Sequence, residues 1–159
     1  MRTLEPILRK HPFFEGLADD YLALITGCAK NVRFQEGEAL AREGDIAEQF
    51  YVLREGRVSV ELPAPNGGSI KIQTLDAGEI AGWSWLIPPN IWQFDLVAMT
   101  PIRALEMNGE CLRKKCEDDT RLGYELMKRF SNIMANRLAA TRLQLIDLYG
   151  SAAPVAHQP

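Results

Sequence analysis

The stretch FQEGEALAREGDIAEQFYVLREGRVSV, residues Phe34 to Val60, alternates apolar with polar residues and interrupts them with glycines. A two-residue period is typical of strands that bury one face. The apolar positions with this spacing are Phe50 and Val52, and Val58 and Val60. Gly37, Gly44 and Gly56 separate the runs, and glycine most easily adopts the positive φ of a tight turn. The stretch therefore predicts short strands joined by glycine turns.

The same period extends to both sides of this stretch. Further apolar sets are Val32 and Phe34, Ile70 and Ile72, and Phe94, Leu96 and Ala98. Many short, half-buried strands with glycine turns favour an antiparallel sandwich or roll. We therefore predict a mainly β fold, with its strands over about residues 30–107.

Helical spacing replaces the two-residue period near both ends of the chain. Leu4–Lys10 and Ala18–Ala29 predict two short helices, separated by a joint at His11–Phe14. On the other side of the strands, a short helical segment is expected around Leu112. Helices thus flank the β region on both sides.

A long helix is predicted over about residues 119–149. Asp119 or Thr120 is a suitable N-cap, and Gly150 is expected to end the helix. The segment 150–159 is rich in Ala and Pro and is predicted to be a disordered tail. One domain is therefore expected over residues 1–149, since the length suits a single core.

The long helix carries an apolar stripe that is wider than one small domain can cover. Its members are Leu126, Met127, Phe130, Ile133, Met134, Leu138, Leu145 and Leu148. We expect a homodimer formed through this helix. The dimer contacts are predicted at Met127, Met134, Leu138 and Leu145.

The charge balance disfavours two classes of partner. The formal net charge is −3 and the pI is near 5.5, so the chain lacks the basic excess that phosphate backbones require, and we predict no direct nucleic-acid binding. No apolar run approaches the ~20 residues needed to cross a bilayer, so no membrane partner is expected.

The three cysteines are Cys28, Cys111 and Cys116, and they form neither a C-x-x-C pair nor a disulfide framework. Cys28 is interpreted as a core residue of the second helix, in a reducing, cytoplasmic setting. Cys111 and Cys116 are five positions apart, which raises redox sensing or metal binding as alternatives. Zinc needs about four ligands and the histidines are only His11 and His157, so no metal or cofactor is predicted.

Three motifs together resemble the cyclic-nucleotide-binding domains of the catabolite activator protein (Crp/Fnr-like) superfamily. They are HPFFEGL at His11–Leu17, the stretch quoted first, and LDAGEIAG at Leu75–Gly82, in the family's order and spacing. The resemblance covers about Pro12 to Leu148. It implies a jelly-roll β-roll, a cassette opened by GE-x-x-G that cradles a cyclic phosphate, and a long helix that serves as dimer contact and ligand lid.

The resemblance also implies what is replaced in this chain. Members of the family hold the ribose hydroxyl with a Glu and the phosphate with an Arg, and the matching positions here are Trp83 and Trp92. The small hydroxyl residue after the Arg is replaced by Gln93 or Phe94. No basic residue lies between Lys71 and Arg103.

The segment GWSWLIPP resembles a subset of the superfamily with a GWSWL-x-PP cassette, whose members usually keep a basic residue near Ile91. In the family's transcription factors a helix-turn-helix domain follows the long helix, whereas only nine residues follow Gly150 here. We therefore expect no helix-turn-helix domain, so that any reading of DNA would fall to another protein.

The candidate ligand-binding residues are those of the diverged cassette. They are Gly82, Trp83, Ser84, Trp85, Trp92, Gln93, Phe94 and Asp95. The tryptophans either stack on a planar ligand or fill the volume that a nucleotide would take. Asp95 either meets a ligand amine or hydroxyl or is ion-paired, and Glu79 is interpreted as support for the cassette.

We predict a non-enzymatic module that senses a small ligand, weakly or with altered specificity, and signals through its C-terminal helix. One alternative is a structural or protein-interaction module with a closed pocket, and another is a true cAMP or cGMP binder that uses backbone amides. Catalysis is disfavoured because both histidines lie outside the strands and no G-x-S-x-G motif is present.

Overall fold

The computed structural model describes residues 4–152. These residues form two compact units, of which the first ends at Glu125 and the second begins at Leu126. The first unit begins with helix α1 (Glu5–Lys10), a 3₁₀ turn at Pro12–Phe14 and helix α2 (Asp19–Thr26). Eight strands follow. They are β1 (Ala29–Phe34), β2 (Ala39–Ala41), β3 (Gln49–Glu55), β4 (Val58–Pro63), β5 (Ser69–Leu75), β6 (Ile80–Ala81), β7 (Asp95–Ala98) and β8 (Ile102–Asn108).

The strands form two antiparallel four-stranded sheets, in the orders β1-β8-β3-β6 and β2-β7-β4-β5. Neighbouring strands within each sheet are mostly distant in sequence, which is the connectivity of a roll rather than of a simple meander. The prediction of a mainly β roll with flanking helices is confirmed.

Side chains that point between the sheets form the core. They include Leu40, Tyr51, Leu53, Val58, Val60, Leu75, Trp92, Phe94, Leu96, Ile102 and Ala104. Tyr51 keeps its hydroxyl satisfied there, since the group donates to the Leu40 carbonyl at 3.2 Å and accepts from Gln49 Nε2 at 3.1 Å. Burial raises the pKa of Tyr51 to about 12, so the phenol is neutral at physiological pH.

Strands β3 and β5 are among those that differ from the predicted half-buried pattern. In β3 the four residues from Phe50 to Leu53 are all buried, because Phe50 stacks on Trp85 on the side opposite the core. In β5 the expected inward residue Ile70 is 53% exposed. Strand β5 is the edge strand of its sheet, and its first three residues are exposed.

Two helices follow the strands, α3 (Gly109–Asp118) and α4 (Thr120–Ala152). Asp119 Oδ1 accepts hydrogen bonds from the backbone N–H groups of Arg121 and Leu122 at 3.1 and 3.2 Å, so of the two predicted N-caps, Asp119 and Thr120, Asp119 is the one that caps the helix. The predicted stop at Gly150 was wrong, because α4 continues to Ala152. A glycine inside a helix costs only about 1 kcal/mol and does not by itself end it.

Residues 150–152 of the predicted disordered tail are therefore helical, and residues 153–159 lie outside the described part of the chain. Within residues 4–152, no helix has the length and apolar character needed to cross a membrane.

The expectation that the cysteines are unpaired was also wrong, because Cys28 and Cys111 form a disulfide. They are 83 positions apart in sequence, but Cys28 directly precedes β1 and Cys111 lies in the first turn of α3. Pairing of Ala29 with Met107 brings the start of β1 to the end of β8, and hence to α3. Cys116, which was considered as a partner of Cys111, remains a free thiol.

Candidate functional site

The cassette begins in a tight turn that Glu79 holds in place. The Glu79 carboxylate accepts a hydrogen bond from the Asp76 backbone N–H at 2.8 Å, across the turn between β5 and β6. Backbone bonds then tie the turn to β3, since Gly78 N donates to Leu53 O at 2.9 Å and Leu53 N donates to Glu79 O at 3.0 Å. This geometry favours the supporting role that was expected of Glu79.

Gly82 and Trp92 pack closely against each other in the cassette. Gly82 has φ +103°, and a Cβ added there would lie 2.4 Å from Cη2 of the Trp92 indole. Trp92 is only 2% exposed. The indole therefore lies directly over Gly82, the second glycine of the GE-x-x-G motif, so closely that any residue with a Cβ would clash with it.

Trp85 lies on the side of β3 opposite the core between the sheets. Its indole is completely buried and stacks on Phe50 with ring centroids 5.0 Å apart. Its carbonyl accepts hydrogen bonds from Asn90 Nδ2 at 3.0 Å and from Arg113 Nη1. Asn90 Nδ2 also donates to the carbonyl of the buried Ser84 at 2.9 Å. Ser84 and Trp85 therefore stabilise the cassette from inside and present no open ligand surface.

Trp83, Trp92 and Phe94 form an aromatic cluster inside the roll. Phe94 meets Trp83 edge to face at 5.9 Å and meets Trp92 at 6.1 Å between ring centroids. Trp83 is half-buried, so it is the indole of the three tryptophans that a ligand reaches most easily. The cluster makes this side of the cassette aromatic and apolar.

Asp95 is engaged by the loop between β2 and β3. Its Oδ1 accepts a hydrogen bond from the Glu43 backbone N–H at 2.7 Å, and its Oδ2 lies 3.7 Å from Arg42 Nη1. Gln93 is exposed, and its Nε2 donates to Ile91 O at 3.0 Å. Of the two alternatives for Asp95, the ion-paired carboxylate is the one that the geometry favours.

The β2–β3 loop also holds the end of the cassette by backbone bonds, which sequence patterns did not indicate. Gly44 N donates to Trp92 O at 2.9 Å, Trp92 N donates to Asp45 O at 2.9 Å, and Ala47 N donates to Asn90 O at 2.7 Å. A cavity of about 520 Å³ lies beside these bonds. Its lining is Leu40, Ala41, Arg42, Gly44, Asp45, Ile46, Glu48, Gln49 and Trp92.

The cassette segment carries no basic side chain of its own. Between Lys71 and Arg103 the chain has no basic residue, and Arg42 at the rim is paired with Asp95. The segment after Gly82 forms a turn, with Leu86 N donating to Trp83 O at 3.0 Å, and not the first turn of a helix. This segment therefore supplies neither a basic side chain nor a helix N-terminus.

Residues 31–119, more than half of the chain, match the family model described as cyclic nucleotide-binding domain. A CRP-like cAMP-activated global transcriptional regulator of Mycobacterium tuberculosis is 23% identical over 151 residues, or 95% of this chain. The chain spans 66% of the length of that relative.

Two solved structures share the fold. A protein described as cyclic nucleotide-binding, from Geobacter metallireducens, is 28% identical, with a TM-score of 0.76 over 84% of this chain and 97% of its own. A cyclic nucleotide-binding domain from Methylobacillus flagellatus is 17% identical, with a TM-score of 0.77 over 98% of this chain and 85% of its own. The paired sheets, the cassette turn and the family model agree, and the chain belongs to the cyclic nucleotide-binding domain family.

Proposed function

We propose that this chain is a non-enzymatic regulatory module whose cassette, of the GWSWL-x-PP variant, has exchanged its phosphate anchor for an aromatic cluster. The observation that carries the proposal is the Trp92 indole over Gly82. That indole stands where the resemblance places the phosphate-binding arginine. A ligand would then be held mainly by contact with Trp83 and Phe94, and a cyclic nucleotide would bind weakly.

We also propose a cytoplasmic setting and no direct contact between this domain and nucleic acid. The net charge of −3 supports the absence of a phosphate-binding face. One relative is named as a transcriptional regulator, and this name supports a regulatory role and a cytoplasmic setting.

Calorimetric titration with cAMP and cGMP tests the proposal. We expect Trp92→Arg to bind a cyclic nucleotide roughly ten- to a hundredfold more tightly than the wild type, since a charge-assisted hydrogen bond contributes ~1.5–3 kcal/mol. Trp92→Leu is the matched control, because it opens the same space without adding a cation. An equal gain in affinity in both variants would show that the weak binding of the wild type results only from the volume of the Trp92 side chain.

Micromolar cyclic-nucleotide binding by the wild type that Trp83→Ala leaves unchanged would contradict the proposal and favour a nucleotide sensor that uses backbone amides. Absence of heat in the wild type and in both Trp92 variants would instead favour a closed pocket and a protein-interaction role.

The signalling part of the proposal is a homodimer formed through α4. Met127, Met134, Leu138, Leu145 and Leu148 are separated by seven, four, seven and three residues, the spacing of an a/d seam. Leu138, Leu145 and Leu148 are at least half exposed in the single chain. A helix of 33 residues is roughly 50 Å long, which is enough for several turns of coiled coil.

We expect Leu138→Glu/Leu145→Glu to convert a dimer into a monomer, because two carboxylates would be buried in each helix of the seam. Light scattering after size exclusion would show the mass fall from twice the 17.8-kDa chain to the chain mass. Asn136→Glu, which adds one carboxylate on the opposite side of the helix, should leave the mass unchanged. A wild-type monomer at high concentration would refute the dimer.

A further inference from the structure

The Cys28–Cys111 disulfide joins the start of β1 to the first turn of α3, with Cα atoms 5.8 Å apart. Around it the backbone is closely bonded. Asn108 N donates to Cys28 O at 2.9 Å, and the Asn108 side chain caps α3 by accepting from Cys111 N at 2.8 Å. The position of α3 relative to β1 thus depends on this bond and on the residues beside it.

The same helix contacts the cassette through its other side. Gly109 N donates to Glu48 O at 2.7 Å, and a Cβ added at Gly109 would lie 2.9 Å from Cβ of Trp85. Two residues after Cys111, Arg113 donates to the carbonyl of Trp85. The first two turns of α3 therefore lie between the disulfide and the cassette, and a shift of α3 moves the support of Trp85.

The two sulfurs differ in access. Cys28 is 6% exposed, whereas Cys111 is half-buried and lies where the helix N-terminus favours a negative charge. We propose that Cys28 and Cys111 form a reversible thiol–disulfide site, through which a low-molecular-weight thiol–disulfide couple sets the conformation of the cassette.

The exchange chemistry involves two steps. The Cys111 thiolate attacks one sulfur of a small disulfide, forms a mixed disulfide and releases one small thiolate. The Cys28 thiolate then attacks Cys111 Sγ, forms the internal bond and releases the second small thiolate. Two electrons pass from the protein to the small disulfide, and the two protons of the protein thiols end on the released thiols. Reduction follows the same steps in reverse.

This inference concerns the structure of the cassette, and it stands whether or not the cassette binds a cyclic nucleotide. Tryptophan fluorescence can follow the conformation of the cassette without an added label. All three tryptophans, Trp83, Trp85 and Trp92, lie in the cassette, so tryptophan emission reports on this segment alone.

The experiment measures tryptophan emission and acrylamide quenching of the full-length Cys116→Ser protein in glutathione buffers from oxidising to reducing. Removing Cys116 leaves only the pair in question. Trapping with N-ethylmaleimide, followed by mass spectrometry, counts free thiols in each buffer, and far-UV circular dichroism checks the fold. We expect emission to shift to longer wavelength and quenching to rise in step with the fraction of reduced pair.

Cys28→Ser/Cys111→Ser should show the reduced spectrum in every buffer. In Arg113→Met the pair should still exchange, but the emission change should shrink, because the contact to Trp85 is already lost. The inference is overturned if emission does not follow the thiol count, if the pair never oxidises, or if the reduced protein is unfolded, since a switch needs two folded states.

Discussion

Reduction of the Cys28–Cys111 disulfide is expected to lower the free energy of unfolding by about 4 kcal/mol. The two cysteines are 83 residues apart, so the bond closes a long loop and removes much of the entropy of the unfolded chain. For a chain of this length the melting temperature should fall by roughly 10 °C. Guanidinium and thermal unfolding of Cys116→Ser, with and without reductant, measure both quantities.

The control is Cys28→Ser/Cys111→Ser, whose stability should equal that of the reduced protein and should not respond to reductant. A response of the parent protein below about 1 kcal/mol would show that the bond adds no effective constraint. A typical domain is stable by 5–15 kcal/mol, so a loss of about 4 kcal/mol leaves most of the molecules folded. This margin is what allows the disulfide to act as a switch rather than as a condition for folding.

The cysteine pair also illustrates a contact that local sequence patterns do not predict. The runs around Val58 and Leu96 correctly predicted strands. Around Leu96 the burial of alternate side chains leaves a period that a short window can detect. The Cys28–Cys111 contact depends on the register of β1 against β8, which joins residues almost eighty positions apart. No local period encodes that register, so the pairing could not be predicted.

The tryptophans illustrate the same limit within the site. Their crowding between Gly82 and Gln93 indicated an irregular aromatic segment, and the structure confirms a turn without regular strands. Composition does not show that the two buried indoles pack differently. Trp85 stacks on Phe50, whereas Trp92 covers Gly82. That difference depends on which side of β3 each indole reaches. The prediction that Ile70 is buried was wrong for a related reason. An edge strand has the same two-residue period as a central strand, so the period does not show which strand lies at the edge of a sheet.

The contact between Gly82 and Trp92 predicts a second large loss of stability. Gly82→Ala should lower the free energy of unfolding by about 3 kcal/mol. The new methyl group would lie 2.4 Å from the Trp92 ring, and the backbone there has φ +103°, which an L-residue rarely adopts. Urea unfolding measures the total of these two effects.

Gly37→Ala separates them. Gly37 has φ +89° but no heavy atom within 4 Å of an added Cβ, so this variant carries the backbone cost alone, about 1–2 kcal/mol. Trp92→Leu in the Gly82→Ala background should recover the remainder, because the smaller side chain leaves room for the methyl group. If Gly82→Ala costs no more than Gly37→Ala, the indole does not occupy the space over Gly82. The reason for expecting weak cyclic-nucleotide binding would then be lost, whereas the redox inference, which depends on α3 and Trp85, would be unaffected.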